Sequence, residues 1–361
     1  MCANCRGAAA RVKPVIYVVA TAIKHGKGGI STALTSIIEA LESQGERFRV
    51  VESHQGSASR WQSFRKAQRA LAQATDGDVV WLHGARWLSL LRKYLLARGP
   101  RSRGARTILH IHGIEAIHYL QHPIGRWLMQ RLVNRYDGLV VLTPWWRSQL
   151  LSKLSYPAER IHIMPNTLDR SLLALAQSEP KPPIEANTTP IHLLCMTRLE
   201  AGKNVDAAIA TLRFLPPQYH LTIAGDGGQL ESLRQQAREL ELGHRVDFLG
   251  WVPYEDKNRL LSRMDLFLLP SELDSFGMGF LEAMAAGLPV VGVAYGPIVD
   301  VVPTEAGKLV PTPSPELLAD AVQHVFAEHP QRSAFAQRYV LETYQAELAV
   351  QNFLEFCQRL R

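Results

Sequence analysis

What most constrains this chain is an alternation running through its whole length: short apolar runs, each followed by an amphipathic stretch of helical period. Strands separated by helices cannot close as hairpins, so they must pair in parallel and cross over through the helices. In the first half the strand-like runs are residues 14–20, 48–52, 79–82, 107–111, 138–142 and 162–164, with helical patterns such as 32–43 and 126–136 between them. A second series runs 192–196, 220–224, 245–248, 266–269 and 289–293, with helices at 228–240 and 277–286 and a wholly helical pattern from about residue 315. Between the series, SEPKPPIEANTTP (178–190) is proline-rich and polar, without periodicity, and reads as a linker. The expected class is therefore α/β: two Rossmann-like, doubly wound parallel-sheet domains facing a cleft, with ligands at the carboxyl ends of the strands. A length of 361 residues suits two such domains.

No apolar run approaches the roughly 20 residues that span a bilayer, and residues 15–20 are too few for a signal-peptide core. A cytoplasmic location is expected. Cys195 and Cys357 sit in apolar stretches, while Cys2 and Cys5 form a lone pair in a tail, without the second pair that a zinc site needs. The net charge of +7 favours an anionic partner. Residues 60–106 carry eleven Lys or Arg against Asp76 and Asp78 alone. No helix-turn-helix, zinc finger or aromatic RNA-binding box accompanies them, so nucleic acid is not expected. Trp87, Leu88, Leu90, Leu91, Tyr94, Leu95 and Leu96 alternate with Arg86, Arg92, Lys93 and Arg98, ahead of a basic loop at 101–106. This suits a helix lying peripherally on an anionic membrane surface, and equally a core helix with a solvated basic edge.

Three segments bear on chemistry. HGKGGIS (25–31) follows the first strand, and its glycines Gly28 and Gly29 would let backbone N–H groups approach an oxyanion, or simply make a tight strand–helix turn. Ser31 stands where a dinucleotide fingerprint needs its third glycine. Arg198 and Lys203 end another strand five residues apart, a spacing that can neutralise a diphosphate without a metal or can be two surface cations. In PSELDSFGMGFLEAMAAGLPV (270–290) a strand leads through a loop into a helix of small residues, with Asp274 in the loop and Glu282 about two turns along. A helix N-terminus near Phe276, Gly277 and Met278 offers free N–H groups, and a carboxylate within the helix can accept a bond from a ribose diol.

Taken in order, Gly28-Gly29, His112-Gly113, Thr143-Pro144, Pro165-Asn166, Arg198…Lys203, Ala224-Gly225-Asp226-Gly227, Gly250-Trp251 and Asp274…Glu282 resemble the landmarks of glycosyltransferase family 4 over nearly the whole chain. The resemblance implies a GT-B fold and a retaining, metal-independent transfer of sugar from a UDP- or GDP-sugar to a glycan or lipid-linked hydroxyl. It implies no cofactor and a place in cell-surface polysaccharide or glycolipid synthesis. Arg198 and Lys203 are then the diphosphate cations, Glu282 holds the ribose, and Asp274 lies near the donor sugar. Backbone N–H groups of Phe276, Gly277 and Met278 hold sugar or phosphate, Gly250 and Trp251 line the base pocket, and His112 reaches the transferred sugar. The implied organisation is a tail at 1–13, an acceptor domain at 14–177, the linker at 178–190, a donor domain at 191–330 and helices at 331–361 returning to the N-terminal domain. Asp274 replaces the usual glutamate and Thr197 the usual glycine before the arginine. A sugar-nucleotide epimerase of the same layout and a non-catalytic sugar-nucleotide binder remain alternatives.

Two features are expected to be structural. Asp76-Gly77-Asp78 precedes a strand and reads as a turn, not a metal motif. His110, His112 and His118 have no carboxylate or cysteine to complete a metal site, so none is expected.

Overall fold

The computed structural model describes residues 13–21, 29–53, 60–179 and 190–360. The first sheet contains β1 (Ile16–Ala20), β2 (Phe48–Glu52), β3 (Val79–Gly84), β4 (Arg106–Ile111), β5 (Gly138–Val141) and β6 (Ile161–Ile163). Its helices are α1 (Gly29–Ser43), α2 (Arg60–Leu71), α3 (Trp87–Ser102), α4 (Glu115–Gln121), α5 (Pro123–Val133), α6 (Pro144–Lys153) and α7 (Arg170–Ala176). The second sheet contains β7 (Ile191–Met196), β8 (Tyr219–Ala224), β9 (Val246–Gly250), β10 (Leu266–Leu269), β11 (Val290–Val293) and β12 (Gly307–Val310). Around it lie α8 (Val205–Thr211), α9 (Leu230–Glu239), α10 (Tyr254–Ser262), α11 (Met278–Ala285), α12 (Ile298–Val301) and α13 (Pro315–Ala327), followed by α14 (His329–Thr343) and α15 (Ala346–Arg359).

The strands of both sheets pair in parallel. Their orders are β2-β1-β3-β4-β5-β6 and β12-β11-β10-β7-β8-β9. Chain direction along the sheet reverses between β1 and β3 in the first and between β7 and β10 in the second. Loops on either side of such a reversal part and open a crevice at the carboxyl ends of the strands, where doubly wound sheets bind ligands. Inner strands are apolar throughout because both faces are covered, as in β3, β10 and β11, whereas the edge strands β2 and β9 are half exposed. The short β12 was not expected from the sequence; only four residues long and containing Lys308, it lacks the apolar run that marks its neighbours.

Period-two alternation gives the first sheet two separate cores. Tyr17, Val19, Leu82 and Leu109 face one side, while Ile16, Val18, Trp81 and Ile108 face α1 and α15. Phe353 of α15 stacks on Trp81 at 3.9 Å between centroids, and Phe356 stacks on His162 at 5.0 Å. Of the C-terminal helices only α15 covers this sheet; α14 lies against α7 and α11. Asp78 accepts from the backbone N–H groups of Val15 and Thr75, so the Asp76–Asp78 turn serves to fasten the start of β1.

Candidate functional site

The reversal between β7 and β10 brings the two chemistry-bearing loops together. After β7 the chain continues alongside Ala224–Gly227: Thr197 N–H donates to Ala224 O and Leu199 N–H to Asp226 O, each at 3.0 Å. A Cβ on Gly225 would lie 1.8 Å from the Thr197 carbonyl oxygen, so only glycine admits this approach. The chain then turns, with Asn204 in the left-handed region (φ 51°), and its amide donates to Pro270 O at 2.9 Å and to the Glu272 carboxylate at 3.0 Å. Asn and Asp tolerate that conformation better than other side chains do. Glu272 N–H closes the junction by donating to Gly202 O at 2.8 Å.

This junction presents Lys203 to the loop after β10. The buried Lys203 Nζ donates to Leu273 O and to Asp274 Oδ1, both at 2.8 Å. Asp274 Oδ2 is buried with no partner. Arg198 is exposed and pairs with Glu200 at 3.0 Å. The structure thus joins Lys203 to Asp274 and leaves Arg198 as the more accessible cation of the two.

Gly277, with φ 88°, ends the loop and caps α11, whose first turn leaves backbone N–H groups without helical acceptors. Phe276 turns its ring into the core against Tyr344, so any role it has toward a ligand lies in its backbone. The loop is braced from the first sheet: Trp146 Nε1 donates to Ser275 O at 2.7 Å, and Trp145 N–H donates to Asp300 at 2.6 Å. Farther along α11, Glu282 is buried and accepts from Lys257 Nζ of α10 at 2.8 Å. Burial raises its pKa above the ordinary carboxylate value, and the Lys257 ammonium opposes that rise. Lys257 escaped the sequence reading because it lies in an otherwise charged, solvent-facing helix. At the end of β9, Gly250 has φ 70° and Trp251 is half exposed, near the exposed Leu249 and Tyr254 in sequence.

In the first domain, His112 follows β4 and is buried, not open to solvent. The register that sets His83 opposite His110 gathers His83, His110 and His112 on one face of the sheet. His83 Nδ1 and His112 Nε2 share a hydrogen bond of 2.9 Å. His83 Nε2, His112 Nδ1 and both nitrogens of His110 are buried and unpartnered. Burial drives all three rings toward neutrality: His83 and His110 well below the usual range, His112 to about 3. The ligating atoms of these three lie within 4.8 Å of one another, so they, and not His118, form the candidate metal cluster among the described residues. A cation there would have to break the His83–His112 bond. It would also sit near the buried Lys93, whose charge already depresses His83. Gly28 lies outside the described residues, and Gly29 opens α1.

Comparison with known proteins agrees with this architecture. The family model "Glyco_transf_4: Glycosyltransferase Family 4" matches residues 27–172, and "Glycosyl transferases group 1" matches 177–339. A glycogen synthase of Mycobacterium tuberculosis is 32% identical over 173 residues, 47% of this chain and 39% of that protein. A GDP-mannose-dependent alpha-(1-6)-phosphatidylinositol monomannoside mannosyltransferase of Mycolicibacterium smegmatis is 28% identical over 276 residues, 72% of this chain and 69% of that protein. The chain thus spans well under half of the first relative's length. Among solved structures, Anabaena Alr3699/HepE in complex with UDP and glucose superposes with a TM-score of 0.74 over 96% of this chain and 100% of that one, at 18% identity.

Proposed function

Because the chain belongs to glycosyltransferase family 4 and has the GT-B fold, we propose that it moves a sugar, with retention, from a UDP- or GDP-sugar to a hydroxyl of a glycan or lipid-linked acceptor. The observation that carries this reading is the junction at the β7/β10 reversal, where Lys203 meets Asp274 at 2.8 Å beside the N-terminus of α11. Arg198, Lys203 and the first-turn N–H groups of α11 stabilise the diphosphate as negative charge gathers on it. The bond between the anomeric carbon and the diphosphate oxygen breaks, and the acceptor oxygen bonds to that carbon on the same face. The acceptor proton passes to the departing phosphate. Asp274 Oδ2 accepts from a hydroxyl of the donor sugar, which supplies the partner it lacks. Glu282 and Lys257 hold the ribose, Gly250 and Trp251 flank the base, and His112 faces the transferred sugar once the domains close. Closure excludes the water that would otherwise hydrolyse the donor. In this account the cations and helix end suffice, and no metal or other cofactor takes part.

A panel of UDP-, GDP- and ADP-sugars tests the reading by thermal shift, since a donor at 100 times its Kd stabilises by about 2.7 kcal/mol. The expected result is stabilisation by one nucleotide class and acceptor-dependent release of nucleoside diphosphate that survives EDTA. Epimerised donor without acceptor identifies an epimerase, and binding without turnover identifies a sensor. Activity abolished by EDTA and restored by a divalent ion overturns the metal-free account.

A further inference from the structure

Helix α3 is apolar on two faces. Leu90, Leu96 and Ala97 are buried against the sheet, yet Leu88, Leu91 and Leu95 are exposed, Leu88 by 76%. Neighbouring α5 repeats the pattern, burying Met129, Leu132 and Val133 while Ile124 stays 75% and Trp127 52% exposed. A helix apolar all round is ordinarily enclosed on every side, so these outer faces lack a cover. An open groove of about 760 Å³ lies between them, lined by Leu88, Leu91 and Leu128 and by Arg101, Arg131 and Arg135. A second hollow of about 510 Å³ shares Arg101 and Arg135 and adds Arg98.

The charge around the groove is of one sign. Neither α3 nor α5 contains an acidic residue. Acidic residues elsewhere in this domain are already engaged: Asp78 by Val15 and Thr75, Asp137 by Thr107, and Glu115 by Arg86. Arg131 rests 4.1 Å over the Trp127 ring, which ties the charge to the apolar ridge. A second copy docking by a two-fold axis would set arginines against arginines. Residues 1–12 carry Arg6 and Arg11 and no acid, so they are no better matched.

The geometry points to a docking site for an anionic phospholipid surface. Leu88, Leu91, Ile124 and Trp127 enter the boundary between headgroups and acyl chains, while Arg98, Arg101, Arg131 and Arg135 meet the phosphates. The site does not depend on the transfer chemistry. It also corrects which cations face outward: Lys93 is buried with its ammonium 2.6 Å from Ser53 Oγ, and Arg103 donates to Leu71 O and Ala74 O.

The test is co-sedimentation of the full chain with vesicles of phosphatidylcholine alone or mixed with phosphatidylglycerol. Binding is expected only to the mixed vesicles and is lost in high salt. The combined Arg101→Gln, Arg131→Gln and Arg135→Gln variant should bind roughly a hundredfold more weakly. A Leu88→Ser, Ile124→Ser, Trp127→Ser variant should weaken binding at least about tenfold. Both should keep the wild-type melting temperature, because all the substituted side chains lie on the surface. Equal binding to both vesicle types, no binding to either, or a concentration-dependent dimer that the serine variant disrupts would each overturn the proposal.

Discussion

The two polar clusters of this molecule solve the cost of burial in opposite ways. In the C-terminal domain the buried carboxylates are each met by a lysine: Asp274 by Lys203 and Glu282 by Lys257, both at 2.8 Å. In the N-terminal domain three buried imidazoles stay neutral, share one hydrogen bond and leave nitrogens unpartnered. Paired ions hold a fixed field and suit a ligand of high charge, whereas neutral rings give weaker, uncharged contacts that suit hydroxyls. The contrast therefore assigns the diphosphate to one wall of the cleft and the sugar to the other.

The largest expected effect tests the charged wall. Lys203→Ala should lower turnover roughly 10²–10³-fold, the scale of losing one preorganised stabiliser of the leaving group. It should also lower stability, because Asp274 would lose its only cation. Arg198→Ala should lose turnover without that loss of stability, since its side chain is exposed. Steady-state kinetics and urea melts separate the two, and wild-type turnover in both would place the diphosphate elsewhere.

Next in size is the ribose contact. Glu282→Gln should cost on the order of 1.5–3 kcal/mol in donor binding, read by calorimetry with the nucleotide that the panel selects. Combining it with Lys257→Met should restore stability lost by either single change, as removal of both members of a buried pair often does. Unchanged donor affinity in the folded single variant removes Glu282 from the site.

The neutral wall gives a pH test. Lys93, beside Ser53 and close to His83 and Arg92, is pushed down to about 7 by burial first and by the Arg92 charge second. Between about 7 and the ordinary 10.5, the unfolded chain holds a proton on this lysine that the folded chain does not. Stability should therefore rise with pH across that window, by about 1.4 kcal/mol per unit, and level off on either side. Lys93→Met should flatten the slope in urea melts at several pH values; an unaltered slope would show that another group carries it.

The smallest effect concerns the shared imidazole bond. A double-mutant cycle of His83→Gln and His112→Gln on kcat/KM should show a coupling of about 0.5–1.5 kcal/mol. Nitrogen NMR should show His112 losing its single tautomer in His83→Gln. Strict additivity would mean that His83 does not set which nitrogen of His112 carries the proton.

Much of this was legible from residue order alone, for a physical reason. Inner strands of a parallel sheet are apolar on both faces, so β3, β10 and β11 announce themselves, and the loops that follow them carry the distinctive residues. Features that depend on distant pairing were not legible. Lys257 becomes part of the site only because α10 lies against α11, and His83 only because β3 pairs with β4 in that register. The outward leucines of α3 were ambiguous since its apolar residues cover every side, which leaves no periodicity to separate core from surface. Likewise α14 and α15 are equally helical in sequence, yet only the second reaches the first sheet.

That reach has a consequence for how the protein is made. Ile16, Val18 and Trp81 belong to the opening part of the chain, but the aromatic side chains that cover them, Phe353 and Phe356, are in α15. On a ribosome, one face of the N-terminal sheet stays bare until α15 has emerged, long after the strands beneath it exist. The first domain therefore cannot mature as an independent unit during synthesis, and the interval leaves an apolar sheet face for chaperones to shield.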